Sequence, residues 1–329
     1  MKAFTTKNIR NVAVIGHGDA GKTQLVSSLL HVSGATTRWG KVAEGTTVTD
    51  YDEDSIERKF SLNNNFAHLE YKDTKINLID TPGYAAFVTH ARPALRVADC
   101  ALVVVDAVNG IEVQTEKTWQ YANEFLLPRL MVINKMDKER ADFGHALDAA
   151  AQSFARSIVP FTLPIGQEAN FKGVVDVVHQ KAYEFDAHGA AKEIPIPEAG
   201  REVFDKTRER LIELVAESDD RLLEKYFENG ALDEEDIYPN LAKAIASSKL
   251  CPVYAVSSET LVGLQILLDH LIEFAPNPAT HEAEHGFKNA EQTERATRRY
   301  SNAEPFSAYV FRTIADPFAG RINVLKIVS

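Results

Sequence analysis

Residues 16–23 have the composition and the setting of a phosphate-binding loop. The segment reads Gly-His-Gly-Asp-Ala-Gly-Lys-Thr, follows an apolar strand-like run and precedes a helix-like run. Glycines let a backbone wrap closely around phosphate groups, and the amides at a helix N-terminus point towards an anion. We expect Lys22 to reach the β- and γ-phosphates of a nucleotide and the Thr23 hydroxyl to bind Mg²⁺. The alternative is a chance glycine-rich turn. The expected nucleotide-binding residues of this loop are Gly16, His17, Gly18, Asp19, Ala20, Gly21, Lys22 and Thr23.

A second motif, Asp80-Thr-Pro-Gly83, follows a predicted strand. Ligands of open α/β sheets bind at the carboxyl ends of the strands. Asp80 suits a carboxylate that supports a bound Mg²⁺, and the Gly83 amide suits a sensor of the γ-phosphate. Taken alone this motif is weak, because an aspartate followed by Pro-Gly is also an ordinary turn.

A third motif, Asn134-Lys-Met-Asp137, indicates which base is bound. A carboxylate at Asp137 can accept hydrogen bonds from N1–H and the 2-amino group of guanine. Adenine offers neither in that arrangement, so ATP should be rejected. We expect Asn134 to bond the purine edge, the Lys135 stem to cover the ring, and Ser257 and Ser258 to complete the pocket through their backbone amides. Together the three motifs predict a site for GTP or GDP with Mg²⁺.

Buried strands must position these motifs. Apolar, β-branched runs at residues 11–15, 75–80, 100–106, 129–134 and 252–257 alternate with amphipathic segments. This alternation predicts an α/β fold with a doubly wound, mostly parallel sheet. A further run at residues 66–71 is joined to 75–80 by a short turn, which predicts an antiparallel hairpin at one edge.

The chain divides into five predicted segments. Residues 1–157 form the first part of the nucleotide-binding domain, 158–250 an inserted α+β subdomain with two charged helices near 201–228 and 234–248, and 251–276 the last strand and helix of the domain. Residues 277–304 are polar and poor in apolar residues, which predicts a linker. Residues 305–329 have a β-type pattern, which predicts the first strands of a truncated β-barrel. Residues 34–62 are polar without a sustained period, which predicts a functional or mobile loop.

Composition limits the function classes. The chain has 329 residues and a formal charge of −11, which argues against diffuse coating of nucleic acid but leaves room for a local basic patch. Cys100 and Cys251 lie in or beside apolar runs without ligand spacing, so we expect buried thiols in a reducing compartment rather than a metal or redox site. The first apolar run begins at residue 12 and no run is long enough to cross a bilayer, so we expect a cytoplasmic protein.

The motifs together resemble elongation factor G. The resemblance covers residues 16–23, Asp50-Tyr with Glu57-Arg58, residues 80–87, 134–137, 164–176 and 305–320. It implies a GTPase domain with the family's insertion, followed by the start of a β-barrel domain. We therefore expect this chain to be the front part of a longer protein, since the translocating domains that follow in the family are absent. The implied partner is the ribosome, with no nucleic-acid contact apart from rRNA, and we expect a monomer.

Four positions depart from the family pattern. Tyr84 stands where the family has the histidine that orients the attacking water, and a phenol is a poorer proton acceptor than an imidazole. Ser61 stands where the family has its Mg²⁺-binding threonine and keeps the hydroxyl. We interpret Gly18, Phe60 and Tyr84 as one repacked patch, in which the glycine leaves room for the larger ring. This pattern resembles the divergent elongation factor G-like paralogues.

Two functions agree with these motifs. The first is GTP hydrolysis coupled to the ribosome, with Lys22, Gly83 and Tyr84 as the candidate catalytic residues. The second is a GTP-binding interaction module that hydrolyses little, with Tyr84 only packing on its surroundings. A P-loop metabolic kinase is disfavoured, because residues 134–137 specify a base without supplying a site for an acceptor substrate.

Overall fold

The computed structural model describes residues 2–154, 157–281, 283–301, 303–316 and 319–329. The strands in chain order are β1 (Ile9–Gly16), β2 (Asn65–Tyr71), β3 (Thr74–Asp80), β4 (Cys100–Asp106), β5 (Arg129–Asn134), β6 (Ser157–Pro160), β7 (Thr162–Ile165), β8 (Gly173–Asp176), β9 (Lys181–Phe185), β10 (Ala191–Ile194), β11 (Leu250–Ala255), β12 (Glu284–Phe287), β13 (Arg295–Arg298), β14 (Ala308–Asp316) and β15 (Gly320–Ile327). The helices are α1 (Lys22–Val32), α2 (Glu53–Arg58), α3 (Ala91–Val97), α4 (Val113–Glu124), α5 (Phe143–Phe154), α6 (Arg201–Ala216), α7 (Asp220–Asn229), α8 (Glu234–Ala246) and α9 (Leu264–Phe274).

A seven-stranded sheet in the order β2-β3-β1-β4-β5-β11-β6 forms the centre of the molecule. Every neighbouring pair is parallel except β2 and β3, which form the predicted antiparallel edge hairpin. The strands β4, β5 and β11 are buried along their whole length, as expected of parallel strands covered on both faces. Helix α1 packs against α9, and α3 packs against α4. The predicted doubly wound, mostly parallel α/β fold is confirmed.

The inserted segment contains its own sheet, whose first strand in the chain is β7. Strand β6 pairs in parallel with β11 at the edge of the central sheet. The separate four-stranded sheet β10-β9-β8-β7 is antiparallel and follows it. The prediction of two helices was wrong, because three are present. Helix α6 ends at Ala216, and Asp219 caps α7 by accepting a hydrogen bond from the Arg221 amide.

Residues 34–62 are more structured than the sequence indicated. They contain a 3₁₀ turn at Val42–Glu44 and the short helix α2. The Trp39 indole donates a hydrogen bond to Ser28 Oγ on α1 and anchors the segment. Elements of three and six residues are too short to give a periodic signal, which is why the pattern predicted only a loop.

The C-terminal part of the chain forms two small antiparallel sheets. Strands β12 and β13 pair within the segment that was predicted to be a linker, and β14 pairs with β15. Four-residue strands without apolar alternation leave no sequence signal. Phe311 of β14 lies edge-on to Phe66, and Lys326 of β15 contacts the buried Asp99. No helix among the described residues has the length and apolar content that a bilayer crossing requires.

Candidate guanine-nucleotide site

The phosphate-binding loop lies between β1 and α1, as predicted. Gly16 has a φ of +143°, and a Cβ there would lie 2.3 Å from the Val104 carbonyl oxygen of β4, so only glycine fits. The His17 ring lies at the start of α4, where its Nδ1 accepts from the Gln114 amide at 3.3 Å. The loop delivers Lys22 and Thr23 to the first turn of α1.

The Lys22 ammonium lies inside the loop. Its Nζ donates to the carbonyl oxygens of Gly16 at 3.1 Å and His17 at 2.5 Å. The side chain is buried, and this burial lowers the pKa of Lys22 to about 8. The ammonium group therefore lies where the loop would wrap a phosphate, and two backbone carbonyl oxygens hold it there.

The three predicted metal-binding residues lie together. Thr23 Oγ1 donates to Asp80 Oδ2 at 2.8 Å and lies 3.1 Å from Ser61 Oγ. Ser61 Oγ in turn donates to Asp50 Oδ1 at 2.7 Å. Thus the end of β3, the start of α1 and the segment after α2 meet at one point, and Asp50 joins them.

This cluster carries more negative charge than its surroundings balance. Asp80 is 0% exposed, and its Oδ1 has no hydrogen-bond partner among the described residues. Burial, helped by repulsion from Asp50, raises the pKa of Asp80 to about 7. Burial likewise raises the pKa of Asp50. Two buried carboxylates and two hydroxyls form the hard oxygen donor set that Mg²⁺ prefers, so the residues fit the ion.

Gly83 packs directly on the phosphate-binding loop. A Cβ at Gly83 would lie 2.2 Å from Lys22 Nζ, 2.6 Å from the His17 carbonyl oxygen and 2.7 Å from the Gly18 nitrogen. Since two of these contacts are with backbone atoms, no larger residue fits without moving the loop. The motif at residues 80–83 is thereby coupled to the loop's conformation.

Three of the four divergent positions, Gly18, Phe60 and Tyr84, form one contact patch. The rings of Phe60 and Tyr84 lie 4.4 Å apart between centroids. A Cβ at Gly18 would lie 3.1 Å from two atoms of the Tyr84 ring, which is tighter than ordinary contact. The Tyr84 hydroxyl donates to Asp19 Oδ2 at 2.6 Å, and this bond raises the pKa of Tyr84 to about 12. These are the contacts that the repacked-patch interpretation requires.

The Asn134 side chain connects two loops of the site. Its side chain is fully buried, Nδ2 donates to the Ala20 carbonyl oxygen, and Oδ1 accepts from the Ser258 amide, both at 3.0 Å. One of the two Asn134 N–H groups is used within the protein, and the predicted bond to the purine edge would use the other. Asn134 joins the phosphate-binding loop to the loop after β11.

Asp137 is held by a side chain that the sequence did not single out for this contact. Ser257 Oγ donates to Asp137 Oδ1 at 2.6 Å, while the Ser257 amide donates to the Val262 carbonyl oxygen. The backbone amides of Ser257 and Ser258 both donate to acceptors within the protein. Either amide could donate to a base only by dividing its N–H between that acceptor and the base. Lys135 Nζ lies 2.7 Å from Asp106 Oδ2, which fixes the lysine stem.

A cavity of about 480 Å³ lies between the phosphate-binding loop, the segment 34–62 and the turn after β3. Its wall contains Gly18, Asp19 and residues 21–24, residues 41–44 and 59–61, residues 81–84, Lys135, Lys138, Ser258 and Glu259. Asn134, Asp137 and Ser257 do not line it. Lys138 Nζ lies 3.6 Å from Asp137 Oδ2, and Lys41 Nζ lies 2.7 Å from Glu259 Oε1 in the cavity wall. The volume is of the size that small-molecule ligands occupy.

Two site residues were missed by the sequence reasoning. Asp50 lies in one of the segments that resemble elongation factor G, but the sequence alone did not predict that it binds another site residue. Asp106 ends β4 in the way that Asp80 ends β3 and Asn134 ends β5. That position at a strand's carboxyl end is the signal that could have found Asp106.

Two comparisons bear on this geometry. The family model described as "Elongation factor Tu GTP binding domain" matches residues 7–277. A crystal structure of a protein from Thermus thermophilus is similar, with a TM-score of 0.86 and 33% sequence identity over 98% of this chain. The chain spans 46% of the length of that protein. The chain belongs to the family of the elongation factor Tu GTP-binding domain, and its sequence and fold are similar to those of elongation factor G-like proteins.

Proposed function

We propose that this chain binds GTP and GDP together with Mg²⁺ and hydrolyses GTP to GDP and phosphate, at a rate set by contact with the ribosome. The observation that carries the proposal is the cluster of Thr23, Ser61, Asp80 and Asp50 beside Lys22. The cluster brings together residues from the phosphate-binding loop, the segment 34–62 and the end of β3. A nucleotide bound there would contact all three, which is how a phosphate can order switch loops.

Each side chain has a distinct role in this proposal. Lys22 neutralises charge on the β- and γ-phosphates, and Gly83 places its amide beside the loop to detect the γ-phosphate. Thr23, Ser61 and Asp80 hold Mg²⁺, with Asp50 orienting Ser61. When bound, the ion supplies neutralisation of the charge that develops on the phosphates.

Guanine specificity is assigned to Asp137. Ser257 orients one carboxylate oxygen and leaves Oδ2, which lies 3.6 Å from Lys138, to accept from the base. Movement of Lys138 and Glu259 would connect the cavity to that carboxylate. Asn134 acts by positioning the loops on both sides, and the Lys135 stem covers the ring.

A second candidate is a GTP-binding module with little hydrolysis, in which the bound nucleotide controls an interaction. The specific observation behind it is the hydrogen bond from Tyr84 to Asp19. A phenol that donates to a carboxylate, with its pKa raised to about 12, keeps its proton and is a poor base at neutral pH. The proposed partners in either case are the ribosome and guanine nucleotide, in a monomeric, cytoplasmic protein whose only nucleic-acid contact is with rRNA.

Single-turnover GTP hydrolysis with and without ribosomes separates the two candidates. Hydrolysis that ribosomes accelerate by about tenfold or more, equivalent to about 1.4 kcal/mol in the barrier, supports the first. Tight GTP binding with no acceleration supports the second. The matched control is Tyr84→Phe, which keeps the ring packing and removes the bond to Asp19. Absence of GTP binding by the folded chain would contradict both.

A further inference from the structure

A cluster of metal-ligating side chains lies outside the nucleotide site, between the inserted subdomain and α9. Asp176 Oδ2 lies 2.8 Å from His179 Nδ1 and 3.1 Å from His270 Nε2. The two imidazole nitrogens are 3.3 Å apart. The three atoms therefore form a nearly regular triangle, and no step of GTP hydrolysis uses them.

The local backbone presents the Asp176 carboxylate to the two histidines. Asp176 is the last residue of β8, and its Oδ1 accepts from the amides of Val178 at 2.9 Å and His179 at 3.0 Å. This turn fixes the carboxylate and leaves Oδ2 directed at the imidazoles. His179 belongs to the same turn, whereas His270 comes from α9, so two separate parts of the chain supply the cluster.

The second nitrogen of His179 also has a partner. Its Nε2 lies 3.2 Å from Glu273 Oε2, one turn along α9 from His270. A proton on Nε2 would be donated to Glu273, which leaves the Nδ1 lone pair pointing into the triangle. Histidines that bind metals in proteins commonly donate their other N–H to a carboxylate in this way.

His270 is held rigidly by aromatic rings. It is 1% exposed and contacts Phe161, Tyr254 and Phe274, all with ring centroids within 6 Å. Its Nδ1 is buried without a hydrogen-bond partner among the described residues. Nε2 is thus the nitrogen through which His270 makes its polar contacts, and packing aims it at Asp176.

We propose that Asp176 Oδ2, His179 Nδ1 and His270 Nε2 bind a Zn²⁺ ion. Bonds of about 2.0–2.1 Å in a tetrahedral site separate neighbouring ligand atoms by about 3.3 Å, close to the edges of this triangle. Two imidazoles and one carboxylate are a ligand set that zinc accepts, and the three leave a fourth position. A cavity of about 380 Å³ borders the cluster, so a water molecule can take that position.

The ion would join the turn after β8 to α9. Its contribution is therefore to fix the inserted subdomain against the nucleotide-binding domain. The competing occupant is a proton, because hydrogen bonds to Asp176 and Glu273 raise the pKa of His179 to about 10. In that case Asp176 would simply accept hydrogen bonds from both imidazoles.

Calorimetric titration of Zn²⁺ into the chain tests the proposal. The protein is first loaded with GDP and millimolar Mg²⁺, so that the nucleotide site is filled. We expect uptake of one equivalent of Zn²⁺ and a rise in the thermal midpoint. Replacement by Co²⁺ should give the visible absorption of a tetrahedral site. His179→Gln should weaken binding by at least about 100-fold and Glu273→Gln by about tenfold, the range seen when supporting carboxylates of metal sites are removed.

His68→Gln is the matched control, because His68 is an exposed histidine on β2, away from the cluster. It should bind Zn²⁺ as the unchanged chain does. Retained GDP binding verifies that each variant is folded, and Glu273→Gln keeps the test decisive if a histidine variant fails to fold. No Zn²⁺ uptake by the GDP-loaded chain, or equal uptake by His179→Gln and His68→Gln, would overturn the proposal.

Discussion

On the phosphate side of the nucleotide site, one buried carboxylate oxygen lacks a hydrogen-bond partner among the described residues, whereas the buried polar groups on the base side are paired within the protein. The phosphate side comprises Lys22, Thr23, Ser61, Asp80 and Asp50. There the fully buried Asp80 leaves Oδ1 without a hydrogen bond among the described residues, and its pKa is raised to about 7. A buried polar group without a partner costs free energy, so this side is stabilised when a cation and an anion arrive.

The base side comprises Asn134, Asp137, Ser257 and Ser258. Asn134 bonds Ala20 and Ser258, and Ser257 bonds Asp137, with no ligand needed. This side is shaped in advance by its own hydrogen bonds. Under the proposed function, the base would be selected by groups that are already in place, whereas the phosphates and Mg²⁺ would bind to groups that still need partners.

The largest expected effect concerns the base side. Asp137→Asn should weaken GDP binding by about 10² to 10⁴, since two hydrogen bonds to a charged group are worth about 1.5–3 kcal/mol each. Preference should shift towards xanthine nucleotides, whose 2-oxo group needs a donor. Competition titrations of GDP, XDP and ADP measure this. The exposed Asp148→Asn on α5 is the control, and a variant at Asp137 that still prefers GDP would break the assignment.

A second effect concerns hydrolysis on the phosphate side. Tyr84→His combined with Gly18→Ile and Phe60→Ile should hydrolyse GTP on ribosomes faster than Tyr84→His alone. The reason is that the space beside residue 18 now holds the tyrosine ring and would leave an imidazole loosely placed. Positioned proton transfer contributes about 10² or more to rates. Single-turnover kinetics measure the change, and GTP affinity should stay nearly constant.

The outcome that would contradict the patch interpretation is also clear. If the unchanged chain reaches full rate on ribosomes and Tyr84→Phe is harmless, the hydroxyl and its bond to Asp19 have no part in hydrolysis.

A smaller effect is expected in the stability of the metal-free protein. A carboxyl group whose pKa rises from 3.8 to about 7 on folding binds its proton more tightly in the folded state. Its stabilising contribution is complete below about pH 3.8 and is lost as the pH rises towards 7. In EDTA above pH 7, Asp80→Asn should therefore melt at a higher temperature than the unchanged chain, by roughly 2–4 °C for each kcal/mol relieved.

Addition of Mg²⁺ gives a second comparison. The ion should raise the melting temperature of the unchanged chain and leave that of Asp80→Asn unchanged. Thermal melts from pH 4 to pH 8 with and without Mg²⁺ and GDP give the comparison. Equal melting temperatures for the two proteins in EDTA at every pH would contradict the claim that the buried Asp80 charge destabilises the metal-free protein.

The smallest effect is expected for Ser257→Ala. It removes the hydroxyl that holds Asp137 Oδ1 but leaves the carboxylate in place. Loss of one orienting hydrogen bond costs about 1 kcal/mol, or roughly fivefold in GDP affinity, without a change in base preference. A nucleotide competition titration can resolve this. A loss as large as that of Asp137→Asn would mean that the base side is not shaped in advance.

The sequence predicted the central sheet because its strands are long apolar runs that end in polar motifs. It also predicted a metal site from Thr23 in the phosphate-binding loop and Asp80 at a strand end, and the resemblance to elongation factor G added Ser61; the three side chains lie together. It could not predict that Asn134 is buried between two loops, because a motif gives no information on which groups the protein itself satisfies. The cluster of Asp176, His179 and His270 was invisible for a related reason, as α9 follows β8 by about 90 residues and only folding brings them together.

The most direct test of the central claim is a calorimetric titration of GDP and ADP, each with Mg²⁺ and with EDTA. If the base side is preformed and the phosphate side is completed by a cation, GDP should bind in both conditions and bind at least about tenfold more tightly with Mg²⁺, which is about 1.4 kcal/mol. ADP should bind weakly in both. GDP affinity that is unchanged by Mg²⁺, or ADP affinity equal to that of GDP, would contradict the account.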